Sequence, residues 1–224
     1  TAPYIGSSVY YTLNRALIPF GLHHVLASLV RFTEAGGTYM LNGQEYVGIL
    51  NATNEILFNL GPTSEYWTQL MPKLTSYLGG AQMLTTLFRV PAIGLAMYHT
   101  SYLKNRKIAK GVILTCCLTA FLGNITEPLE FSFLFISPAL FILYCVMCGI
   151  GLLPYQLLKI SIGYIRGTIF DFGIFGLLYE NTHWIGLVVL GIFNFIVFYF
   201  VFKWFILKFE LETPGRESFE VEES

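Results

Sequence analysis

Long, uninterrupted apolar stretches dominate the hydrophobic pattern of this chain. Phe131–Ile150 is a run of 20 residues without a charge, and Trp184–Leu207 is a run of 24 residues with one lysine near its end. About 20 apolar residues are needed for a helix to cross the hydrocarbon layer of a bilayer. Both stretches are therefore predicted to be transmembrane helices. Gln82–Tyr98 is apolar and of marginal length, interrupted by Arg89 and Pro91, and it is predicted to be a third crossing.

Two other apolar stretches are interrupted by polar residues and helix breakers. Arg15–Arg31 contains Pro19, Gly21, His23 and His24; Gly111–Phe131 is apolar for 13 residues and then reaches Asn124, Thr126, Glu127 and Pro128. Broken helices at membrane depth have to line protein or a water-filled cavity, because unpaired backbone groups cannot face lipid. Interrupted apolar segments also point to the binding site of a transporter. We expect both stretches to be re-entrant hairpins or discontinuous helices that converge on a substrate.

The composition supports a membrane protein. Hydrophobic residues make up 54% of the chain and charged residues 12%, with 20 Phe and 14 Tyr, whereas soluble domains have about 25% charged residues. A soluble protein with an unusually large core is disfavoured, because the longest apolar runs exceed ordinary core helices. The predicted fold class is an all-α membrane protein, a multi-span helical bundle with re-entrant hairpins. The net charge of −1 gives no indication of nucleic-acid binding.

The basic residues predict the orientation of the chain. His99–Lys110 contains four Lys or Arg and no acid, so this loop is expected on the cytoplasmic side. Two full crossings follow it, which returns the tail after Lys208 to the cytoplasm. That tail is acidic, polar and contains Pro and Gly, as is typical of domain linkers. We expect residues 1–207 to belong to a membrane domain and residues 208–224 to be a linker toward a domain absent from this chain.

The beginning of the chain and one polar segment complete this outline. The chain starts at Thr1 rather than Met and shows no signal peptide, so it is interpreted as a piece of a longer protein. Glu34–Ser64 has few membrane signals and several Gly, Asn and Pro turn residues. This segment is expected to be an excursion along one surface.

Glu127 and Glu130 are the only acids between Lys110 and Asp171. A carboxylate at membrane depth is costly and indicates a functional site, although a Glu at the interface can also reach water. Pro128 disfavours helix at the residue before it, so Thr126 and Glu127 are expected in unwound backbone. They would then offer a hydroxyl and a carboxylate together, as a neutral sugar requires. Glu130 is expected to be structural, in a place that an amide could also serve.

Histidine and cysteine give no clear metal or cofactor site. His23 and His24 are adjacent, and neighbours on a helix point about 100° apart, so a shared metal ion is not expected. A packed structural histidine is the alternative for each, as an interfacial anchor is for Arg15. The four cysteines, Cys116, Cys117, Cys145 and Cys148, lie in apolar runs and are expected to be buried free thiols. No cofactor is predicted.

The remaining charged residues allow fewer conclusions. Lys159, Arg166 and Asp171 surround a break at Gly163–Gly167 and could form intramembrane pairs. The sequence has no phosphate-cradling glycine loop, no nucleophile elbow and no plausible Ser-His-Asp grouping. A hydrolase or a kinase is therefore not indicated.

Several segments taken together resemble one transporter family. They are NRALIPFGLHH at Asn14–His24, GLAMYHTS at Gly94–Ser101, NITEPLEFSFLFISP at Asn124–Pro138 and LETPGRE at Leu211–Glu217. The chain resembles, over nearly its whole length, the enzyme IIC (EIIC) component of phosphotransferase-system sugar permeases of the glucose superfamily. VRFTEAGGTYMLNGQ at Val30–Gln44 and IRGTIFDFGIFGLL at Ile165–Leu178 are similar to the maltose/glucose branch.

The resemblance implies an elevator-type transport fold, usually a homodimer in the bacterial inner membrane, with a sugar held between two re-entrant hairpins. It also implies that Arg15, His23, Thr126 and Glu127 contact the sugar. No catalytic residue is expected in this chain, with Glu127 as the candidate for orienting a sugar hydroxyl. A phosphocysteine on the EIIB domain, supplied by EIIA, would phosphorylate maltose, glucose or a related α-glucoside. LETPGRE is similar to the linker that joins EIIC to EIIB.

Two other classes remain open at this point. An ion-coupled sugar symporter or facilitator would share the hydrophobicity and the intramembrane Glu, but it has no need of an acidic tail leading to a cytoplasmic domain. A purely structural membrane subunit is less compatible with an acid at membrane depth.

Overall fold

The structure is a computed structural model that describes residues 3–217, most of which are helical. The α-helices are α1 (Pro3–Ala16), α2 (His23–Phe32), α3 (Ile49–Asn54), α4 (Glu65–Tyr77), α5 (Gly79–Met83), α6 (Val90–Thr100), α7 (Arg106–Gly123), α8 (Glu127–Leu134), α9 (Pro138–Ile150), α10 (Pro154–Leu157), α11 (Ile169–Asp171) and α12 (Trp184–Lys208). Single turns of 3-10 helix lie at Ile18–Phe20 and Glu34–Gly36, and π-helical turns at Glu55–Leu60, Leu84–Arg89 and Phe172–Leu177.

Within residues 3–217, two helical stretches are long and apolar enough to cross a membrane. They are Trp184–Lys208 and Pro138–Leu157, with mean hydropathies of 2.6 and 1.9. The first agrees with the prediction. The second begins seven residues later than expected from the apolar run, because Ser137 caps a new helix by accepting the N–H of Leu140 at 3.3 Å. The structure therefore divides the predicted Phe131–Ile150 helix into the end of α8 and all of α9.

The outer face of α12 is apolar. Ile185, Phe193 and Phe200 are each 61% exposed, although a soluble protein seldom exposes large contiguous apolar patches. The opposite face packs on α6 and on the π-helical turn before it. This distribution fits a helix between a protein core and lipid.

The third expected crossing lies in a continuous helical stretch made by α5, the π-helical turn Leu84–Arg89 and α6. Arg89, which interrupts the apolar pattern, is fully buried. Its guanidinium donates to Asn194 Oδ1 of α12 at 2.9 Å and to Thr85 Oγ1 at 3.2 Å. Arg89 therefore joins this stretch to α12. The crossing itself stays a prediction.

The segment expected along one surface contains a β-hairpin, the exception to an otherwise helical fold. Strands β1 (Thr38–Leu41) and β2 (Gln44–Val47) pair antiparallel. Asn42 and Gly43 connect them with φ of 49° and 82°, which are the positive values that a two-residue hairpin turn requires.

Both interrupted apolar stretches contain a helix break, which agrees with the prediction of re-entrant hairpins or discontinuous helices. The first breaks between α1 and α2, where Gly21 has a φ of 68°. The second breaks between α7 and α8, where Asn124 has a φ of 56°. Glu127 is the first residue of α8 rather than part of the unwound stretch. Pro128 is compatible with this because a proline in the first helical turn removes no intrahelical hydrogen bond.

The predicted linker packs against the predicted cytoplasmic loop as far as Glu217. The N–H of Tyr102 donates to the carbonyl of Gly215 at 3.0 Å, and Arg216 Nη1 donates to the carbonyl of Thr100 at 3.0 Å. Arg216 is 8% exposed and lies over the ring of Tyr102. The two segments thus lie at the same end of the protein. The acids Glu220, Glu222 and Glu223 of the tail lie outside the described residues.

The four cysteines are free thiols. Cys145 and Cys148 are buried as predicted, whereas Cys116 and Cys117 are only half-buried.

Candidate functional site

The breaks of the two discontinuous helices meet at a cavity of about 560 Å³. This volume lies in the range of about 300–1,000 Å³ that is typical of small-molecule sites. Arg15, His23, Thr126 and Glu127, the four residues predicted to bind substrate, all line the cavity. Because the first pair lies on α1–α2 and the second at the start of α8, the site exists only where the two breaks come together.

Glu127 is the carboxylate that faces the cavity. Its Oε1 lies 3.3 Å from His23 Nε2, and its side chain is 28% exposed. Within residues 3–217, neither ring nitrogen of His23 has a partner with hydrogen-bond geometry. A carboxylate and an imidazole without strong internal partners can both exchange hydrogen bonds with the hydroxyls of a ligand.

Glu130 lies on the same helix but points into the protein, where it is 1% exposed. Its carboxylate accepts from Arg15 Nη1 at 3.0 Å, Thr126 Oγ1 at 3.1 Å and the Tyr144 hydroxyl at 2.5 Å. Glu130 is structural, as expected. An amide oxygen could accept the two bonds that Oε1 now receives from Arg15 and Tyr144. An amide would nevertheless leave the buried Arg15 without a compensating charge, so we now expect it to serve poorly there.

Arg15 and Thr126 connect the two discontinuous helices. Arg15 is 6% exposed, and besides Glu130 it donates to Thr126 Oγ1 at 3.1 Å and to Asn14 Oδ1 at 3.3 Å. The Thr126 hydroxyl donates to Glu130, so its proton is already engaged. Both residues line the cavity, but these bonds direct their polar atoms mainly toward each other. The arrangement therefore holds the breaks together and fixes the position of Glu127.

The expected divergence of His23 and His24 is wrong. Their ring centroids lie 4.0 Å apart, at the start of α2 where both residues begin the helix. Ligand atoms of His23, His24 and Glu127 lie within 4.8 Å of one another, the one such group in the described part of the chain that could hold a metal ion. Arg15, Arg31 and Arg166 line the same cavity and disfavour a divalent cation there.

Several cavity residues were not identified from the sequence. Asn124 contacts the Gln82 side chain at 2.8 Å, and Phe131 contributes an apolar wall. Arg31 is the last residue of the first predicted broken segment, and Arg166 follows the break at Gly163. No sequence pattern assigned either residue to substrate binding. Arg166 comes from a third non-helical stretch, between α10 and α11.

The ion pairs considered for Lys159, Arg166 and Asp171 are not formed. Asp171 Oδ2 accepts the backbone N–H groups of Ile165 at 3.1 Å, Arg166 at 2.7 Å and Gly167. Among the described residues, Arg15 and Glu130 form an ion pair, and the Glu127 carboxylate lies 3.3 Å from His23, which is charged only when protonated. Asp171 therefore fixes the backbone of the loop instead of neutralising a side chain.

Comparisons with known proteins identify the family of this chain. The family model described as "Phosphotransferase system, EIIC" matches residues 1–149. The maltose-specific EIICB component of Escherichia coli K12 is 37% identical over 214 residues, which are 95% of this chain and 39% of that protein. The glucose-specific EIICBA component of Staphylococcus saprophyticus is 36% identical over 92% of this chain and 29% of its own length. Its counterpart from Staphylococcus carnosus is 34% identical over 95% of this chain and 30% of its own length.

This chain thus spans about 30–40% of the length of these relatives. The family match covers well over half of the chain and includes both discontinuous helices and the residues that line the cavity from them. The chain belongs to the EIIC family, the membrane components of the phosphotransferase system.

Proposed function

We propose that this chain is the sugar-binding part of a phosphoenolpyruvate-dependent permease. In this proposal, the cavity between the two helix breaks binds a sugar, and the permease delivers it to the cytoplasmic side for phosphorylation. The observation that carries the proposal is the convergence of Arg15, His23, Thr126 and Glu127 on one cavity.

Each group in the cavity has a role in binding a neutral sugar. Glu127 would accept hydrogen bonds from sugar hydroxyls, and His23 would complete the polar contacts. The ring of Phe131 would cover an apolar face of the sugar. Arg15 and Thr126 would act mainly by positioning, because their hydrogen bonds already run to Glu130 and to each other.

The proposed substrate is maltose, with glucose or another α-glucoside as the nearest choices. The support is the maltose-specific name of the E. coli relative together with the segments Val30–Gln44 and Ile165–Leu178. The glucose-specific names of the two staphylococcal relatives keep glucose among the candidates.

The proposed partners are an EIIB domain, whose phosphocysteine donates the phosphoryl group, and the EIIA component before it. The relatives' names combine EIIC with EIIB, and in two cases with EIIA as well. In this proposal Leu211–Glu217 is the start of the connection to EIIB.

We further propose a multi-pass homodimer in the bacterial inner membrane that moves the sugar by an elevator-type motion. The apolar outer face of α12 supports the membrane location. The homodimer and the elevator-type motion are proposed from the family resemblance alone.

An ion-coupled sugar symporter is the competing function, since it would use a similar polar cavity. The test is the chemical form of labelled maltose inside cells that express the full-length protein. Our proposal predicts a sugar phosphate, formed at the expense of phosphoenolpyruvate. If unmodified sugar accumulates in response to a proton or sodium gradient, the proposal is wrong and the protein is an ion-coupled symporter.

A further inference from the structure

The cavity has more positive charge than a neutral sugar requires. In the described part of the chain, three arginines line it, and Glu127 is the only carboxylate among its lining residues. Arg15 is neutralised by Glu130, which lies behind the cavity wall. Arg31 and Arg166 have no acidic partner within residues 3–217.

The backbone at Arg166 is held in a defined place. Asp171 accepts the N–H groups of Arg166 and of both its neighbours. Gly167 has a φ of 78°, and a Cβ at this position would lie 2.7 Å from the Cβ of Gln82. Thr86 Oγ1 donates to the Gly167 carbonyl at 2.9 Å. The loop is thus fixed on both sides, while the exposed Arg166 guanidinium makes no hydrogen bond or ion pair with the described residues.

Arg31 reaches the same region from α2. Its Nη2 donates to the Tyr164 hydroxyl at 2.8 Å, and its buried Nε has no hydrogen-bond partner in the described chain. Tyr164 precedes Arg166 by two residues on the fixed loop. The Gln82 side chain lies 3.3 Å from Arg31 Nη2 and 3.0 Å from the Arg166 carbonyl. The Arg31 guanidinium and the backbone of Arg166 therefore both lie beside Gln82, and both arginines line the cavity.

We propose that Arg31 and Arg166 form an anion subsite that binds the phosphoryl group of the sugar phosphate. This inference rests on the proposed function. A neutral sugar gains little from two uncompensated cations, whereas a phosphoryl group is dianionic and accepts bidentate hydrogen bonds from guanidinium.

The subsite has a place in phosphoryl transfer. A sugar hydroxyl oxygen attacks the phosphorus of the EIIB phosphocysteine and forms the new P–O bond. The P–S bond breaks, its electron pair leaves on the cysteine thiolate, and the hydroxyl proton passes to the Glu127 carboxylate. Arg31 and Arg166 would stabilise the charge on the phosphoryl oxygens during transfer and in the product.

The test compares three probes on the purified full-length protein: maltose, maltose 6′-phosphate and inorganic phosphate. Arg166→Gln removes an exposed cation from the cavity, and Lys159→Gln removes an exposed cation from the same loop outside the cavity. We expect Arg166→Gln to weaken maltose 6′-phosphate binding at least tenfold while maltose binding changes less than twofold. Lys159→Gln should leave both unchanged, and Arg166→Lys should recover part of the loss. Inorganic phosphate should compete with the sugar phosphate in the wild type and lose this effect in Arg166→Gln.

The outcomes separate this inference from the proposed function. If the wild type forms sugar phosphate but Arg166→Gln binds maltose 6′-phosphate as tightly as Lys159→Gln does, the anion subsite is wrong and the proposed permease function is unaffected. An equal loss of maltose and maltose 6′-phosphate would also overturn it, because Arg166 would then serve the sugar. A wild type that forms no sugar phosphate would overturn the proposed function itself.

Discussion

Replacing Glu130 by Gln should destabilise the protein strongly, because this carboxylate is the acceptor at the centre of a buried network. It is 1% exposed and receives hydrogen bonds from Arg15, Thr126 and Tyr144. Glutamine keeps the shape of the side chain but removes the charge that compensates Arg15. Its amide nitrogen would also face the Thr126 hydroxyl, which now donates to Oε2 of the carboxylate.

The size of the effect follows from these contacts. Removing one partner of a buried ion pair costs about 3–5 kcal/mol, since the other charge remains buried and uncompensated. A buried donor that loses its acceptor costs about 1–3 kcal/mol. These costs overlap, because Arg15 contributes to both. We therefore expect Glu130→Gln to lower the free energy of unfolding by about 3 kcal/mol or more.

Glu127→Gln is the matched control, three residues away on the same helix. Its side chain is 28% exposed and makes no buried ion pair, so its stability should stay within about 0.5 kcal/mol of wild type. Unfolding of the purified full-length protein in mixed micelles of increasing sodium dodecyl sulfate measures both variants. Equal stability of Glu130→Gln and wild type would refute the network as the anchor of the two helix breaks.

Three further predictions address binding, the tail and the topology. Glu127→Gln should weaken sugar binding at least about tenfold in a titration, which corresponds to 1.4 kcal/mol, because it exchanges an acceptor oxygen for a donor. The control Glu45→Gln changes an exposed residue outside the cavity and should bind sugar as the wild type does. Gly215→Ala should make the tail susceptible to limited proteolysis, because its Cβ would lie 2.6 Å from Ala109 and Ser101. The control Gly43→Ala has a similar φ and open space around it, and it should not expose the tail. Equal resistance of both variants to the protease would contradict the packing of the tail against the loop. A single cysteine placed at residue 103 or at residue 210 should resist impermeant reagents added outside intact cells, and labelling at only one would break the predicted topology.

The sequence was sufficient for the broken helices and for the residues that approach the cavity from them. Pro19 and Gly21 mark the first break, and Asn124 and Pro128 surround the second. These residue types act locally, through a fixed φ, a missing N–H or a tolerated positive φ. Their effect is therefore visible without knowledge of the rest of the fold.

The long-range contacts could not be predicted in the same way. The sequence distinguished Glu127 from Glu130 but not the partners of Glu130, because Tyr144 approaches it from another helix. The loop that brings Arg166 to the cavity contains no strong pattern of its own, and the acid near it binds backbone N–H groups rather than a cation. Which side chain pairs with which is decided by tertiary packing, which local propensity does not encode.

The most direct test of the central claim is a structure of the full-length protein with bound maltose. Our account predicts the sugar in the cavity between the two helix breaks, with a hydroxyl within hydrogen-bond distance of the Glu127 carboxylate. The account would be contradicted if this cavity held no sugar and maltose were bound elsewhere, for example in the surface cleft lined by Glu45 and Asn59.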